Sequence, residues 1–446
     1  MLSNSPNNSP QSSFFDLLSQ LDSKDPLIVL GNTLDWRKLE AAFSVHYSDK
    51  GRPSKPIRLM SGLLMLKQLY NLSDEAVVEQ WRMNPYYQVF CGMSTFQSAL
   101  PCHSTELVKF RNRIGVAGVQ QIFGLSVKLH GSLSEETQVL VDTTVQEKMI
   151  TYPTDMKLAI KIINRLNKLA KLYGIKQRRT YVKEVKSLRL ACRHFRHVKV
   201  RAKAKKALRR LRTIAGVLMR ELERCLKPSL LEAQVENFEM YRQVLAQKPK
   251  DKNKIYSLHE PDIYCVGKGK DHKPYEYGRK ASVVSTVKGN IIIGVESHDE
   301  HTHDSKTLKS ALEQAHQFRD KDIEMAVVDR GYRGAKKHVS CEVLLPNRPL
   351  KKDSAYQRQK KRILCRKRAG IEPIIGHLKQ DYRLSRNWLK GSQGDAINLL
   401  MTACAWNLKK WLVIFSLNEN NGDFDLIIVV FNKRHTQVFT GYFNAN

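Results

Sequence analysis

The chain has 446 residues, enough for two or three domains with substantial cores. Its apolar fraction of 42% is that of a globular protein, but 75 Lys and Arg against 43 Asp and Glu leave a formal charge of +32. That excess calls for a polyanionic partner, nucleic acid before a membrane surface or ribosome, and eight scattered cysteines without CxxC or zinc-ligand spacing set aside a zinc or disulfide scaffold.

In chain order, residues 1–13 are Ser/Asn/Pro-rich and are expected to be disordered. They lack the basic and apolar regions of a signal peptide. The apolar stretches near the C-terminus, broken by Asn407, Lys409 and Lys410, are too short to span a bilayer. A cytoplasmic protein is expected. Residues 14–130 form an expected N-terminal helical domain. From Pro56, Leu59, Leu63, Leu66 and Tyr70 recur on one helical face. Ser73 is placed to cap a second helix whose first turn carries Asp74 and Glu75. A third, from Ser104, carries Lys109, Arg111 and Arg113. This basic helix makes the group either a helix-turn-helix reader of DNA or a small structural bundle with solvated charges.

Residues 131–415 form an expected α/β domain. Strand is predicted over 137–152, including Gln138–Val141 before Asp142 and then Lys148–Tyr152. A basic helical insertion follows at about 154–250. Its stripes, Leu158, Ile162, Leu166, Leu169, Tyr173 and then Leu208, Leu211, Ala215, Leu218, Leu222, predict two helices packed as a pair. Between Lys157 and Lys227 two dozen Lys and Arg face only three acids. At that density, Arg201, Lys205 and Arg209 are expected to meet DNA phosphates. Next come strands at Tyr275–Ser285 and Asn290–Glu296 joined by a hairpin at Lys288-Gly289-Asn290. A helix is predicted over Ser305–Phe318, then strands at Met325–Val328 and Cys341–Leu345. A helix from Tyr356 through Lys379, kinked at Pro373, and another at Asp395–Leu412 close the domain. Residues 416–446 are a tail of unassigned role.

Three acids stand out: Asp142 and Asp329 after apolar strands, and Glu372 on a helix between Arg368 and Lys379. Singly, each has a plainer reading, as turn formers after strands or a member of surface ion pairs. Together, three carboxylates repel unless cations neutralise them, and hard oxygen ligands beside Arg and Lys suit Mg²⁺ or Mn²⁺ acting on phosphates. Two ions would serve phosphodiester chemistry.

The stretches LMSGLLMLKQLYNLSDEAVVEQWRMNPYYQVFCG, LPCHSTELVKFRNRIG, VDTTVQEKMITYPTD, AVVDRGYRG and RKRAGIEPIIGHLKQDYRL resemble the DDE transposases of bacterial insertion sequences, in the branch with an InsH-like N-terminal domain. The resemblance covers about residues 15–412. It implies an RNase H-like catalytic core with its triad at Asp142, Asp329 and Glu372. The family's Tyr–Arg–Glu–Lys signature maps onto Arg368, Glu372 and Lys379, with Cys365 where the signature has Tyr. It further implies terminal inverted repeats and target DNA as partners, and a homodimer or higher oligomer on DNA. Two other outcomes are set beside an active transposase: a catalytically inactive DNA-binding repressor, and an RNase H-like nuclease that cuts without joining.

Overall fold

The computed structural model describes residues 16–421 apart from Asp49, Arg52, His194, Arg196, Gly269, Lys270 and His272, with side chains described through Leu417. The expected disorder at 1–13 lies outside the described residues, as does the tail after Asn421. The chain divides into two compact units, residues 1–147 with 279–446, and residues 148–278. All eight cysteines are free thiols. Among the described residues, no helix is long and apolar enough to cross a membrane.

The first unit opens with helices α1 (Pro26–Thr33), α2 (Trp36–Ser44), α3 (Ile57–Leu69), α4 (Asp74–Met83), α5 (Pro85–Phe90) and α6 (Ser104–Lys128). Short polar side chains start several of them: Asp25, Asp35, Ser73 and Asn84 each accept amide protons of the following first turn. The expected single apolar face of α3 proves to be nearly the whole helix, with eleven of its residues buried. Helix α6 is broken at Gly115, whose φ of 61° lies where side chains are disfavoured. Strand β1 (Gln138–Glu147) follows.

The second unit is helical: α7 (Asp155–Leu172), α8 (Val182–Ala191), α9 (Val198–Cys225), α10 (Pro228–Glu232) and α11 (Val235–Ala246), then β2 (Tyr264–Gly267). The two predicted stripes meet: Leu158, Ile162 and Leu166 of α7 share a core with Leu211, Ala215, Leu218 and Leu222 of α9. Their opposite faces carry the Lys and Arg residues. The strand expected at Lys148–Tyr152 does not form. Lys148 N–H donates to Tyr277 O, the Ile150 amide turns back onto Lys148 O, and residues 149–154 have no regular structure. Strand β3 (Tyr275–Thr286) pairs antiparallel with β2 through Tyr275–Gly278.

From Arg279 the chain belongs to the first unit again. It adds β4 (Ile292–His298), α12 (Asp304–His316), β5 (Met325–Val327), β6 (Glu342–Leu344), α13 (Ala355–Ala369), α14 (Ile371–Gln380) and α15 (Gly391–Asn421). Its sheet runs β4-β3-β1-β5-β6, with β3–β4 antiparallel and β1–β5–β6 parallel. The β3–β4 hairpin turns where expected, with Asn290 at φ 54°. This mixed sheet with flanking helices carries the expected α/β, RNase H-like fold class.

Alternation along the strands sorts side chains between two cores. Val139 and Val141 of β1 and Ala326 of β5 join the large core, which also takes in α6, α12 and α15. Leu140 and Val327 face the other way, against Ile371 of α14. Asn407, which interrupts the apolar pattern of α15, is buried and bonds Ile292 through both its amide nitrogen and oxygen.

Strand β1 runs past Asp142 to Glu147, inside the stretch predicted as strand over 137–152, because Val145 and Gln146 are buried and Gln146 is tied to Asp395 and Asn398 of α15. The expected break associated with Pro373 falls at Gly370, one turn earlier, where Pro373 has no N–H to offer the Ala369 carbonyl. Pro373 thereby sits in the first turn of the new helix α14, where an N–H has no intrahelical partner.

Candidate active site

Asp142 lies two residues beyond Leu140 and therefore on the same face of β1, the face covered by α14. Strand β5 pairs with β1 only along Gln138–Leu140, so Asp142 stands just past the end of its neighbour. Asp329, two residues beyond Val327, starts a short 3₁₀ turn, and its Oδ1 accepts the Gly331 amide at 2.7 Å. Both acids thus lie at the carboxyl end of β5, Asp142 within β1 beyond its pairing with β5 and Asp329 just after β5.

Glu372 sits in the first turn of α14 and Arg368 in the last turn of α13, on either side of the Gly370 break. Arg368 joins the set: Nη2 is 3.3 Å from Asp142 Oδ2, and Nη1 donates to Glu372 Oε1. Asp142 is 15% exposed and Glu372 58%. Lys379, half-buried, lies in the last turn of α14.

A fourth carboxylate, missed in the sequence, belongs to this group. Asp304 opens α12, and its Oδ1 accepts from Thr143 Oγ1 at 2.7 Å and Lys280 Nζ at 2.9 Å. A Cβ on Gly331 would lie 2.9 Å from Asp304 Oδ2 and 3.0 Å from Asp329 Oδ1, so these two carboxylates crowd the position that glycine leaves open. In sequence Asp304 looks like an ordinary acidic first-turn residue after the His303 cap. Its partners come from distant β1 and β3, and no local pattern joins them.

The electrostatics follow. Burial, with Asp329 and Asp304 adding to it, outweighs Arg368 and the Thr143 amide and pushes Asp142 up to about 6. Burial acts in the same sense on Asp304, but Lys280 and Thr143 prevail and hold it below the usual value. Arg368 therefore offsets the charge at Asp142 only in part. Among the described residues, no three His, Cys, Asp or Glu side chains form a ready metal cage. Mg²⁺ needs no such cage, since it keeps most of its waters and takes one or two carboxylates plus substrate oxygens. Hard oxygen donors carrying incompletely neutralised charge fit that ion, or Mn²⁺.

The expected DNA contacts divide. Arg201, Lys205 and Arg209 are exposed on α9 in the second unit. Arg113 is exposed, with its guanidinium 4.6 Å from the centre of the Tyr47 ring. Arg111 is corrected. It is only 5% exposed and grips both oxygens of Asp74 at 2.7 Å, so its guanidinium is spent inside the helical core.

Residues 15–113 match the family described as "Transposase domain (DUF772)", and residues 246–408 match the family described as "Transposase DDE domain". The second span contains Asp304, Asp329 and Glu372, whereas Asp142 lies outside both. The chain is also similar to "Uncharacterized protein ORF8 in nfe locus" of Rhizobium meliloti, at 36% identity over 184 residues, 40% of this chain and 89% of that protein. No solved structure matches it.

Proposed function

The chain belongs to the DDE insertion-sequence transposases, and we propose that it cuts DNA at its element's terminal inverted repeats and joins the ends to target DNA, using Asp142, Asp329 and Glu372. The observation that carries this reading is the convergence of Asp142 on β1 and Asp329 just after β5 with a helix-borne glutamate linked to Asp142 through Arg368. The proposed division is residues 14–130 as the N-terminal domain and 131–415 as the catalytic domain, with a basic insertion at about 154–250. The protein is proposed to work as a homodimer or larger oligomer on DNA in the cytoplasm.

Asp142, Asp329 and Glu372 would hold two Mg²⁺ or Mn²⁺ ions, which supply an activated oxygen nucleophile and charge stabilisation at phosphorus. Arg368, already placed between two of these acids, carries the planar donor pair that matches phosphate oxygens. As its carboxylates are neutralised, its guanidinium becomes available to a DNA phosphate. Lys379, one end of α14 away, adds a point charge along the same helix. Cleavage and joining are both attacks on phosphorus by an oxygen, so one arrangement of residues serves both.

The test is purified protein with Mg²⁺ and labelled DNA carrying the element's ends. Strand-transfer products support the proposal. Nicking without joining favours the nuclease reading, and binding alone the inactive repressor.

Backbone binding by α9 makes a separate prediction. If six phosphates are neutralised, the logarithm of affinity should fall with the logarithm of salt at a slope of about −5. Changing Arg201, Lys205 and Arg209 together to Ala should flatten that slope by about 3, one for each phosphate that is no longer neutralised. Filter binding across a salt series reads it directly, and an unchanged slope would remove α9 from the DNA interface.

A further inference from the structure

We infer that Asp304 is a positioning residue, fixing β1 and the turn after β5 so that Asp142 and Asp329 stand in register. The inference rests on reading those two aspartates as the reacting carboxylates. Three strands of observation meet at this side chain. Its Oδ1 takes two donors at once, Thr143 Oγ1 from the residue beside Asp142 and Lys280 Nζ from β3. Its Oδ2 faces Gly331, whose own amide is held by Asp329. Lys280 is anchored in turn, donating to Thr302 O at 2.7 Å just before α12 begins. One carboxylate therefore joins β1, β3, the start of α12 and the Asp329 turn.

The division of labour between the two oxygens makes the claim specific. Thr143 and Asp142 are consecutive on an extended strand, so they point to opposite faces. A hydroxyl clamped from the α12 side sets the rotation of β1 at that point, and with it the direction of Asp142 on the other side. The Asp329 turn is set by close approach: a side chain at 331 would strike both carboxylates. Asp304 bonds Thr143 and Lys280, while Arg368 pairs with Asp142 and Glu372, so the work of Asp304 is done through Thr143, Lys280 and Gly331.

The test compares four full-length variants on an end-bearing DNA substrate. Single-turnover cleavage, DNA affinity and Mn²⁺ binding by paramagnetic resonance are measured for each. Thr143→Val removes the hydroxyl with no change of charge or size, and Thr143→Ser keeps it. Asp304→Ala removes the clamp, and Asp304→Asn keeps an acceptor where Oδ1 stands. Misplacement on the ångström scale costs about a hundredfold in rate, so Asp304→Ala should lose about that much, and Thr143→Val about tenfold. Both should also bind Mn²⁺ more weakly, with DNA affinity within twofold of the parent. Thr143→Ser should match the parent, and Asp304→Asn should recover to within about tenfold of it. Full activity in Thr143→Val, or Asp304→Asn as inactive as Asp304→Ala, would overturn positioning and assign Asp304 a direct role at the reacting atoms or none. Failure of the underlying reading shows separately: Asp142→Asn would then still cut.

Discussion

Asp142→Asn should lower end cleavage about a thousandfold or more while leaving DNA affinity within a few-fold of the parent. The loss corresponds to about 4 kcal/mol of charge stabilisation that an amide cannot supply to a divalent ion. DNA affinity should survive because the exposed Lys and Arg of α9, proposed to meet DNA phosphates, lie in another compact unit. The same substitution should stabilise the protein when divalent ions are absent. Asp142 is held at about 6 instead of 3.8, so the folded state binds its proton more tightly than the unfolded state does. For such a carboxyl the contribution to stability is full below about pH 3.8 and is lost as pH rises through about 6. Asn stands permanently in the neutral form. Near neutral pH in EDTA the variant should gain about 1–3 kcal/mol, and the gain should vanish in acid. Thermal melts at two pH values, beside a cleavage assay, check both halves. Unchanged cleavage would remove Asp142 from the chemistry, and a drop in stability would mean that its pair with Arg368 outweighs burial.

Loss of function coupled to gain of stability marks residues kept for work rather than for folding. Local signals made much of this site legible. Apolar runs before Asp142 and Asp329, caps such as Ser73, and the basic stripe of α9 all register within a few residues of sequence. What escaped depends on partners far along the chain. Asp304 gains its meaning from Thr143 and Lys280, which sit on other strands. Arg368 and Glu372 keep their expected four-residue spacing but fall on separate helices, which divide at Gly370, one turn before Pro373. Charge misled once. Sequence counts Arg111 among the basic residues of its helix, yet rotation about α6 turns it inward while its neighbour Arg113 stays exposed.

That inward arginine yields the second large effect. Asp74 receives Arg111 at both oxygens and Lys67 Nζ at 2.8 Å, and all three side chains are at least four-fifths buried. Although burial alone would raise Asp74, Arg111 and Lys67 hold it at about 2, while burial pushes Lys67 down to about 8. Asp74→Asn leaves two cations in the helical core without their shared anion, and breaking a buried pair from one side costs about 3–5 kcal/mol. Asp74 is depressed in the folded state, so its contribution is present above about pH 3.8 and is lost as pH falls toward about 2. The variant's acid-unfolding curve should lose that segment. Arg111→Met should cost a similar amount, because Asp74 keeps only Lys67. Measured where the protein is still folded, however, it should leave the salt slope of DNA binding unchanged, in contrast to the triple substitution on α9. Denaturant melts and binding titrations on one preparation separate these outcomes. A flatter salt slope in Arg111→Met would return Arg111 to the DNA interface, and a stability loss well under 1 kcal/mol would mean the buried cluster is no better than a surface pair.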